Sequence, residues 1–94
     1  MLATQGKRHP LVEQIQRAAL SVQLNVAEGY DLKSSKRFRN HLDIAYASAV
    51  ETSDLLDLCR QMEILPQEVA GQALGRCQRS QQLIRGLINR LRRQ

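Results

Sequence analysis

The side chains that could do chemistry in this sequence are few and widely spaced. Thiols and imidazoles bind a metal ion when several of them converge at short, fixed spacings. Cys59 and Cys77 are the only cysteines, and His9 and His41 are the only histidines. No glycine-rich phosphate loop accompanies them. The sequence therefore predicts no metal site and no cofactor, and we interpret both thiols as small apolar residues of a helical core.

Acidic residues cluster in the middle of the chain. They are candidates for catalysis because a pair of carboxylates can act as general acid and general base. That chemistry needs carboxylates in a desolvated cleft, with pKa values that their surroundings separate. A single helix face provides no cleft, so we interpret the cluster as a solvated face that pairs with Arg39 or Arg60. The serines lack a neighbouring base, and we expect no enzyme. The acidic cluster comprises Asp43, Glu51, Asp54 and Asp57.

Positive charge is concentrated at the end of the chain. Residues 69–94 contain six Arg and no acid, whereas residues 1–68 carry eight Lys or Arg against nine Asp or Glu. Such a segment attracts polyanions, although a solvated face that only confers solubility is the alternative. Aromatic residues make up 3%, so we expect contacts to phosphates without base reading. The predicted nucleic-acid-binding residues are Arg76, Arg79, Arg85, Arg90, Arg92 and Arg93, with Lys33, Lys36, Arg37 and Arg39 near the first turn.

Helices must position these groups. Apolar residues recur at helical spacing in three stretches, and no stretch alternates as a strand does. The sequence predicts one all-α domain, an antiparallel up-down bundle with helices at about 10–28, 35–63 and 66–92. Pro10 and Pro66 suit first-turn positions, Ser34 or Ser35 suits an N-cap, and Gly29 suits a left-handed cap. No apolar run or leader is evident, so we expect a cytoplasmic protein without membrane contact.

One face of each helix is predicted to form the core. On the first helix it includes Ile15, Ala18 and Val22. On the second it is a heptad seam of Phe38, Leu42, Ala45, Ala49, Thr52, Leu56 and Cys59. On the third it comprises Val69, Ala73, Cys77, Ser80, Ile84, Leu87, Ile88 and Leu91.

Further apolar residues lie outside these faces and indicate a partner. We expect a homo-oligomer interface that also uses glycines of the third helix, because glycine permits close approach of another backbone. Simple tolerance of glycine at exposed positions is the alternative. The predicted interface residues are Ile44, Leu55, Leu58, Met62, Leu20, Leu24, Gly71 and Gly75.

Two strings of the sequence resemble a known family. They are Gln14-Ile15-Gln16-Arg17-Ala18-Ala19-Leu20-Ser21-Val22 and Asn25-Val26-Ala27-Glu28-Gly29-Tyr30, followed by Ser35-Lys36-Arg37-Phe38. Over about residues 11–92 the chain resembles the four helix bundle proteins, also called 23S ribosomal RNA intervening-sequence proteins. The resemblance implies a small bacterial cytosolic protein that forms homopentamers. Accessory variability determinants of diversity-generating retroelements are similar in architecture, and they bind nucleic acid and a reverse transcriptase through basic surface.

The chain departs from that family pattern at two places. The family has a helix before the stretch that begins at Leu11, where only ten residues stand here, so we expect the first helix to be missing. Either the start lies downstream of the true one or a neighbour completes the bundle. Gln23 replaces a usual proline and should straighten the helix. The leading functional hypothesis is RNA or DNA binding; the alternative is an adaptor that docks an acidic protein partner such as a reverse transcriptase-type enzyme.

Overall fold

Three helices account for nearly all of the residues that the structure describes. The computed structural model describes residues 9–31 and 35–93, which form α1 (Pro10–Asp31), α2 (Ser35–Gln61) and α3 (Gln67–Arg92). The all-α prediction is confirmed, and α2 runs antiparallel to both of its neighbours. Lys33 and Ser34, a predicted phosphate contact and a predicted cap, lie outside the described residues. None of the described helices is long and apolar enough to cross a membrane.

The side chain of His9 caps the start of α1. Its Nδ1 accepts a hydrogen bond from the Leu11 N–H at 3.0 Å, and its carbonyl accepts the first helical bond from the Glu13 N–H at 3.1 Å. His9 is therefore the N-cap, and Pro10 occupies the first helical position, where its missing N–H is harmless. The N-terminal boundary of the first helix was predictable from Pro10, but the capping role of His9 was not.

Gly29 lies inside α1, so the prediction that it caps this helix is wrong. The helix continues to Asp31, and no described glycine has a positive φ angle. A Cβ atom at Gly29 would lie 2.8 Å from Phe38 Cδ1 and 2.9 Å from His41 Cβ. Those distances are shorter than real Cβ contacts. Gly29 is thus required because α1 and α2 approach each other closely there.

The core is built on one face of α2. Leu42, Ala45 and Cys59 are fully buried, and Ala49 is 1% exposed. Thr52 and Leu56 complete the buried seam, so the predicted heptad pattern is confirmed. Leu42 and Ala45 cluster with buried residues of α3, and Val22, Val26 and Phe38 pack around that cluster.

A chain of polar side chains fixes α1 against α2. Ser21 Oγ lies 2.9 Å from Ser48 Oγ across the interface. Asn25 Nδ2 donates to the Ser21 carbonyl at 2.9 Å, and Asn25 Oδ1 lies 3.0 Å from His41 Nδ1. Because Asn25 Oδ1 is an acceptor, this last bond places a proton on His41 Nδ1. The half-buried network leaves these groups paired and specifies the register of the two helices.

The turn after α2 ends the helix two residues before the predicted boundary at 63. The Ile64 N–H donates to the Cys59 carbonyl at 2.9 Å, and the Glu63 N–H donates to the Arg60 carbonyl at 3.1 Å. Glu63 has a φ of 58°. These bonds and this angle define a Schellman motif, in which the left-handed position is usually occupied by glycine. Glu63 therefore carries backbone strain at this turn.

The third helix contributes less to the core than its apolar stripe predicts. Ile84, Ile88 and the unpredicted Ala70 are buried, but Val69 is 51% exposed and Ser80 is also exposed. The placement of Val69 and Ser80 in the core is wrong because α1 and α3 both pack on α2 and their backbones stay apart. No Cα atom of α1 lies within 8 Å of a Cα atom of α3.

Substituting Gly29 by Ala should destabilise the fold. The added methyl group must displace Phe38 or His41, which we expect to lower the free energy of unfolding by about 1–2 kcal/mol despite the better helix propensity of alanine. Gly75 is the matched control, because nothing lies within 4 Å of a Cβ built there. Gly75→Ala should raise stability by about 0.5–1 kcal/mol. Urea unfolding of both variants measures the difference, and a Gly29→Ala protein as stable as Gly75→Ala would contradict the close approach.

Relieving the strained turn should stabilise the protein. We expect Glu63→Gly to raise the free energy of unfolding by about 0.5–1 kcal/mol, because glycine adopts the left-handed conformation without a steric penalty. Glu63→Ala removes the same charge but retains the strain and should give no such gain. Equal urea midpoints for the Gly and Ala variants would show that the charge, and not the backbone angle, controls stability here.

Candidate nucleic-acid interface

Antiparallel packing of α2 and α3 brings two basic segments together. The end of α3 lies beside the beginning of α2, as shown by the core cluster of Leu42 with Ile84 and Ile88. The contact of Tyr46 with Arg85 continues the same pairing on the surface. Two segments that are far apart in the sequence therefore form one end of the bundle.

This end of the bundle, which we call the basic end, is rich in cations. Six of its members, one lysine and five arginines, are exposed, and Arg39 is half-buried. Arg37 has an interaction with another group of the chain. Glu28 and Asp43 are its described acidic neighbours along the helices. The basic end comprises Lys36, Arg37, Arg39, Arg85, Arg90, Arg92 and Arg93.

Arg85 is held in place by an aromatic ring. Its guanidinium carbon lies 4.9 Å from the centroid of the Tyr46 ring, within the range of a cation–π interaction. An Arg85 Nη atom also donates a hydrogen bond to the Tyr46 hydroxyl. With Asp43, Asn89 and Arg92, these two residues line a shallow polar pocket of about 420 Å³. The remaining N–H groups of Arg85 are thus presented on a supported side chain.

Two of the predicted arginines lie away from the basic end. Arg76 lies in the first half of α3 and lines the groove between α1 and α3. Arg79 is exposed near the middle of α3. Arg90 follows Arg79 by about three helical turns, so the two share one outward stripe of the helix. The structure therefore assembles most, but not all, of the predicted set at one place.

The acidic cluster lies on the surface of α2, as the sequence predicts. Asp43, Glu51 and Asp54 are exposed, and the half-exposed Asp57 forms an ion pair with Arg60. Gln61 Nε2 donates to the second oxygen of Asp57 at 2.9 Å. The predicted pairing with Arg60 is confirmed. These contacts form one open helix face and do not enclose a substrate.

The two thiols are separate and free. Cys59 is fully buried, and the Cys77 thiol donates to the Ala49 carbonyl at 3.1 Å, with Ser53 Oγ at 3.2 Å. Gln81 Nε2 donates to Ser53 Oγ at 2.6 Å and extends this polar layer between α2 and α3. Among the described residues, no group of three or more His, Cys, Asp or Glu side chains is placed to hold a metal ion.

The predicted subunit-contact residues lie on the surface of the single chain. Leu55 is half-buried, and the other large members are 40–56% exposed. A Cβ built at Gly71 or Gly75 would meet no atom within 4 Å. Their exposure agrees with the expected face, while the subunit contact itself stays a prediction. The exposed members are Leu20, Leu24, Ile44, Leu58 and Met62.

One exposed aromatic residue was missed as a candidate contact. Tyr30 is 77% exposed at the end of α1. Its ring meets Phe38 edge to face, with centroids 6.2 Å apart, and Phe38 stands between Arg37 and Arg39 in the sequence. The low aromatic content hid this residue, because a count of aromatic residues does not show which ring is exposed or that it packs on Phe38.

Comparisons with known proteins give one family. A family model described as 23S rRNA-intervening sequence protein matches residues 2–86. Searches of curated proteins and of solved structures returned no match. The matched region contains all of α1 and α2 and most of α3, and it ends before Arg90.

Proposed function

The chain belongs to the family of 23S rRNA-intervening sequence proteins, and from this premise we propose that it is a non-enzymatic, self-associating helical bundle that binds nucleic acid. The basic end is the contact surface in this proposal. The observation that carries it is the convergence of cations from α2 and α3 at one end of the bundle. Exposed apolar residues on α1 and α2 support self-association.

Arginine at the basic end suits phosphate chemistry. A guanidinium group donates two parallel hydrogen bonds to a phosphate, and each neutralised phosphate releases counterions, which favours binding at low salt. Charge of one sign at one end also raises the local concentration of a polyanion. Contacts of this kind position the protein on a backbone and carry no base sequence, so the proposed binding is non-specific.

The proposal includes a structural role without catalysis and a cytoplasmic location. The acidic cluster lies on an open face of α2, and the two thiols occupy packing positions in and beside the core. Free thiols persist in the reducing cytoplasm, which supports that location. No cofactor has a part in the proposal.

Reversing charge at the basic end should weaken nucleic-acid binding. For Arg90→Glu combined with Arg93→Glu, we expect affinity for RNA to fall by on the order of 100-fold and the salt dependence to lose about two units of slope. Arg17→Glu combined with Arg60→Glu changes the net charge equally at sites outside the basic end and should have a smaller effect. Adding Arg79→Glu to the first pair should weaken binding further, because Arg79 shares the stripe of Arg90. Fluorescence anisotropy across a salt series measures all three variants.

Two results would contradict this assignment. Equal losses in both double variants would show that net charge, and not the basic end, controls binding. Unchanged binding in the Arg90 and Arg93 variant would exclude these residues from the contact. Heparin and an acidic protein are the reference ligands, and tighter binding of the acidic protein than of RNA would favour the adaptor function.

Tyr30 should favour single-stranded over double-stranded nucleic acid. An exposed ring beside cations can stack on an unpaired base, an interaction worth about 1–3 kcal/mol, whereas bases in a duplex are already stacked. We expect Tyr30→Ala to reduce single-strand affinity by about 5- to 100-fold and to leave duplex affinity nearly unchanged. Tyr30→Phe retains the ring and should bind as the wild type does. An equal effect of Tyr30→Ala on both ligands would rule out stacking.

A further inference from the structure

The polar pocket at the basic end is lined by α2 and α3 alone. Its volume of about 420 Å³ lies within the range of about 300–1,000 Å³ that is usual for small-molecule sites. Ile88 is buried beneath it, and the half-buried Tyr46 also lines it. The other lining side chains are polar and exposed, and they are Asp43, Arg85, Asn89 and Arg92.

Asp43 is the one acidic residue that lines this pocket. Neither Arg85 nor Arg92 forms an ion pair with it, although both line the same pocket. Arg39, one helical turn earlier on α2, forms none with it either. On a surface that bound phosphates alone, an unpaired carboxylate would repel the ligand. Its two oxygens are open instead to a ligand that brings N–H donors.

Arg85 is the fixed donor of the pocket. Tyr46 holds its guanidinium group through a hydrogen bond and a cation–π contact, with the guanidinium carbon 4.9 Å from the ring centroid. A guanidinium group has five N–H donors in a planar fork, and the bond to Tyr46 uses one of them. Two of the others can donate in parallel to two acceptors of a ligand. The pocket therefore offers a carboxylate acceptor and a guanidinium donor that do not neutralise each other.

Of the four RNA bases, guanine alone matches such a pair. It has two adjacent donors, N1–H and N2–H, followed along its edge by two acceptors, O6 and N7. The carboxylate suits the two donors, and the guanidinium suits the two acceptors. Adenine and cytosine place an acceptor beside their amino group, and uracil has a single N–H between two carbonyl oxygens. Each of those three bases would set an acceptor against the carboxylate.

We propose that this pocket binds an unpaired guanine base, with Asp43 accepting from N1–H and N2–H and Arg85 donating to O6 and N7. The binding of guanine rests on the proposed function, nucleic-acid binding at the basic end, and adds one base preference to the phosphate contacts. The base is unpaired because a Watson–Crick pair uses N1–H and N2–H itself. Arg92 lines the same pocket and is available for an adjoining phosphate.

Single-stranded RNA tests the preference. The ligands are a uridine oligomer and the same oligomer with one central guanosine, compared by fluorescence anisotropy at one salt concentration. We expect the wild type to bind the guanosine oligomer on the order of 10-fold more tightly. The uridine oligomer measures the phosphate contacts without the pocket, so it reports on the proposed function separately.

Asp43→Asn distinguishes recognition from repulsion. Loss of the negative charge should raise affinity for the uridine oligomer slightly. Affinity for the guanosine oligomer should fall, because the amide turns N–H donors toward the donors of guanine. Asp54→Asn is the matched control, since it removes the same charge from an exposed position of α2 outside the pocket, and it should preserve the preference for guanosine. Circular dichroism should show the same helix content in both variants, because both side chains are exposed.

Each half of the recognition has its own test. Inosine lacks the 2-amino group of guanosine, so an inosine oligomer should bind the wild type more weakly than the guanosine oligomer does. Asp43→Asn should bind these two oligomers equally. Arg85→Lys retains the charge and loses the planar fork. It should therefore keep most of the affinity for the uridine oligomer and lose most of the preference for guanosine.

Free nucleotides identify the source of the base. GMP should displace the guanosine oligomer only far above the Kd of that oligomer, because GMP brings no neighbouring phosphates, and AMP should be weaker still. Displacement by GMP at the Kd of the oligomer would assign the site to a free nucleotide and overturn its assignment to an RNA strand.

Two results would overturn the guanine site and leave the proposed function intact. One is equal binding of the uridine and guanosine oligomers by the wild type. The other is an Asp43→Asn protein that binds both oligomers more tightly at an unchanged ratio, which would make Asp43 a repulsive charge only. A wild type that bound neither oligomer would contradict the proposed function, and the guanine site with it.

Discussion

Both outer helices depend on one seam of α2. Leu42 and Leu56 fill the space between helices, while Ala45 and Ala49 allow the neighbouring backbones to come near. This arrangement gives each outer helix an apolar surface to pack on. It also separates α1 from α3. Each of the two packs against a different side of the seam, so α2 lies between them. The closed core and the open groove are therefore two consequences of the same central helix.

The sequence is sufficient to predict the helices and the seam, but not how completely each face is covered. Periodicity locates the seam because one strong heptad pattern runs along α2. The same reasoning placed Val69 in the core, because a helical stripe shows that a face is apolar and does not show whether the same chain covers it. Gly29 has two physical uses, a left-handed cap or a close approach, and only the position of Phe38 distinguishes them.

The sequence predicts which charged residues belong to the candidate site, but not which of them lie together on one surface. The arginine count locates the positive segment in the sequence. The turn at Glu63 makes α3 antiparallel to α2, and this places the end of α3 beside the start of α2. Arg76 was grouped with the others because it is close to them in sequence, and the structure places it in the groove. Tyr30 escaped notice because its exposure depends on where α1 ends beside α2.

The residues that carry the family resemblance serve packing. Ser21, Asn25 and Gly29 follow one another at intervals of four, so they share the face of α1 that meets α2. Their hydrogen bonds and the missing side chain of Gly29 set the distance and register of that contact. The residues shared with the family thus belong to the scaffold. Arg90, Arg92 and Arg93 lie beyond residue 86, where the match to the family model ends.

The separation of charge along the bundle gives the molecule an electric dipole along the bundle axis. The cations of the basic end lie where α3 ends, and the acids of α2 from Glu51 onward lie toward the opposite end of the bundle. The electric field of an approaching polyanion would turn such a molecule before contact, so that the basic end would meet the polyanion first.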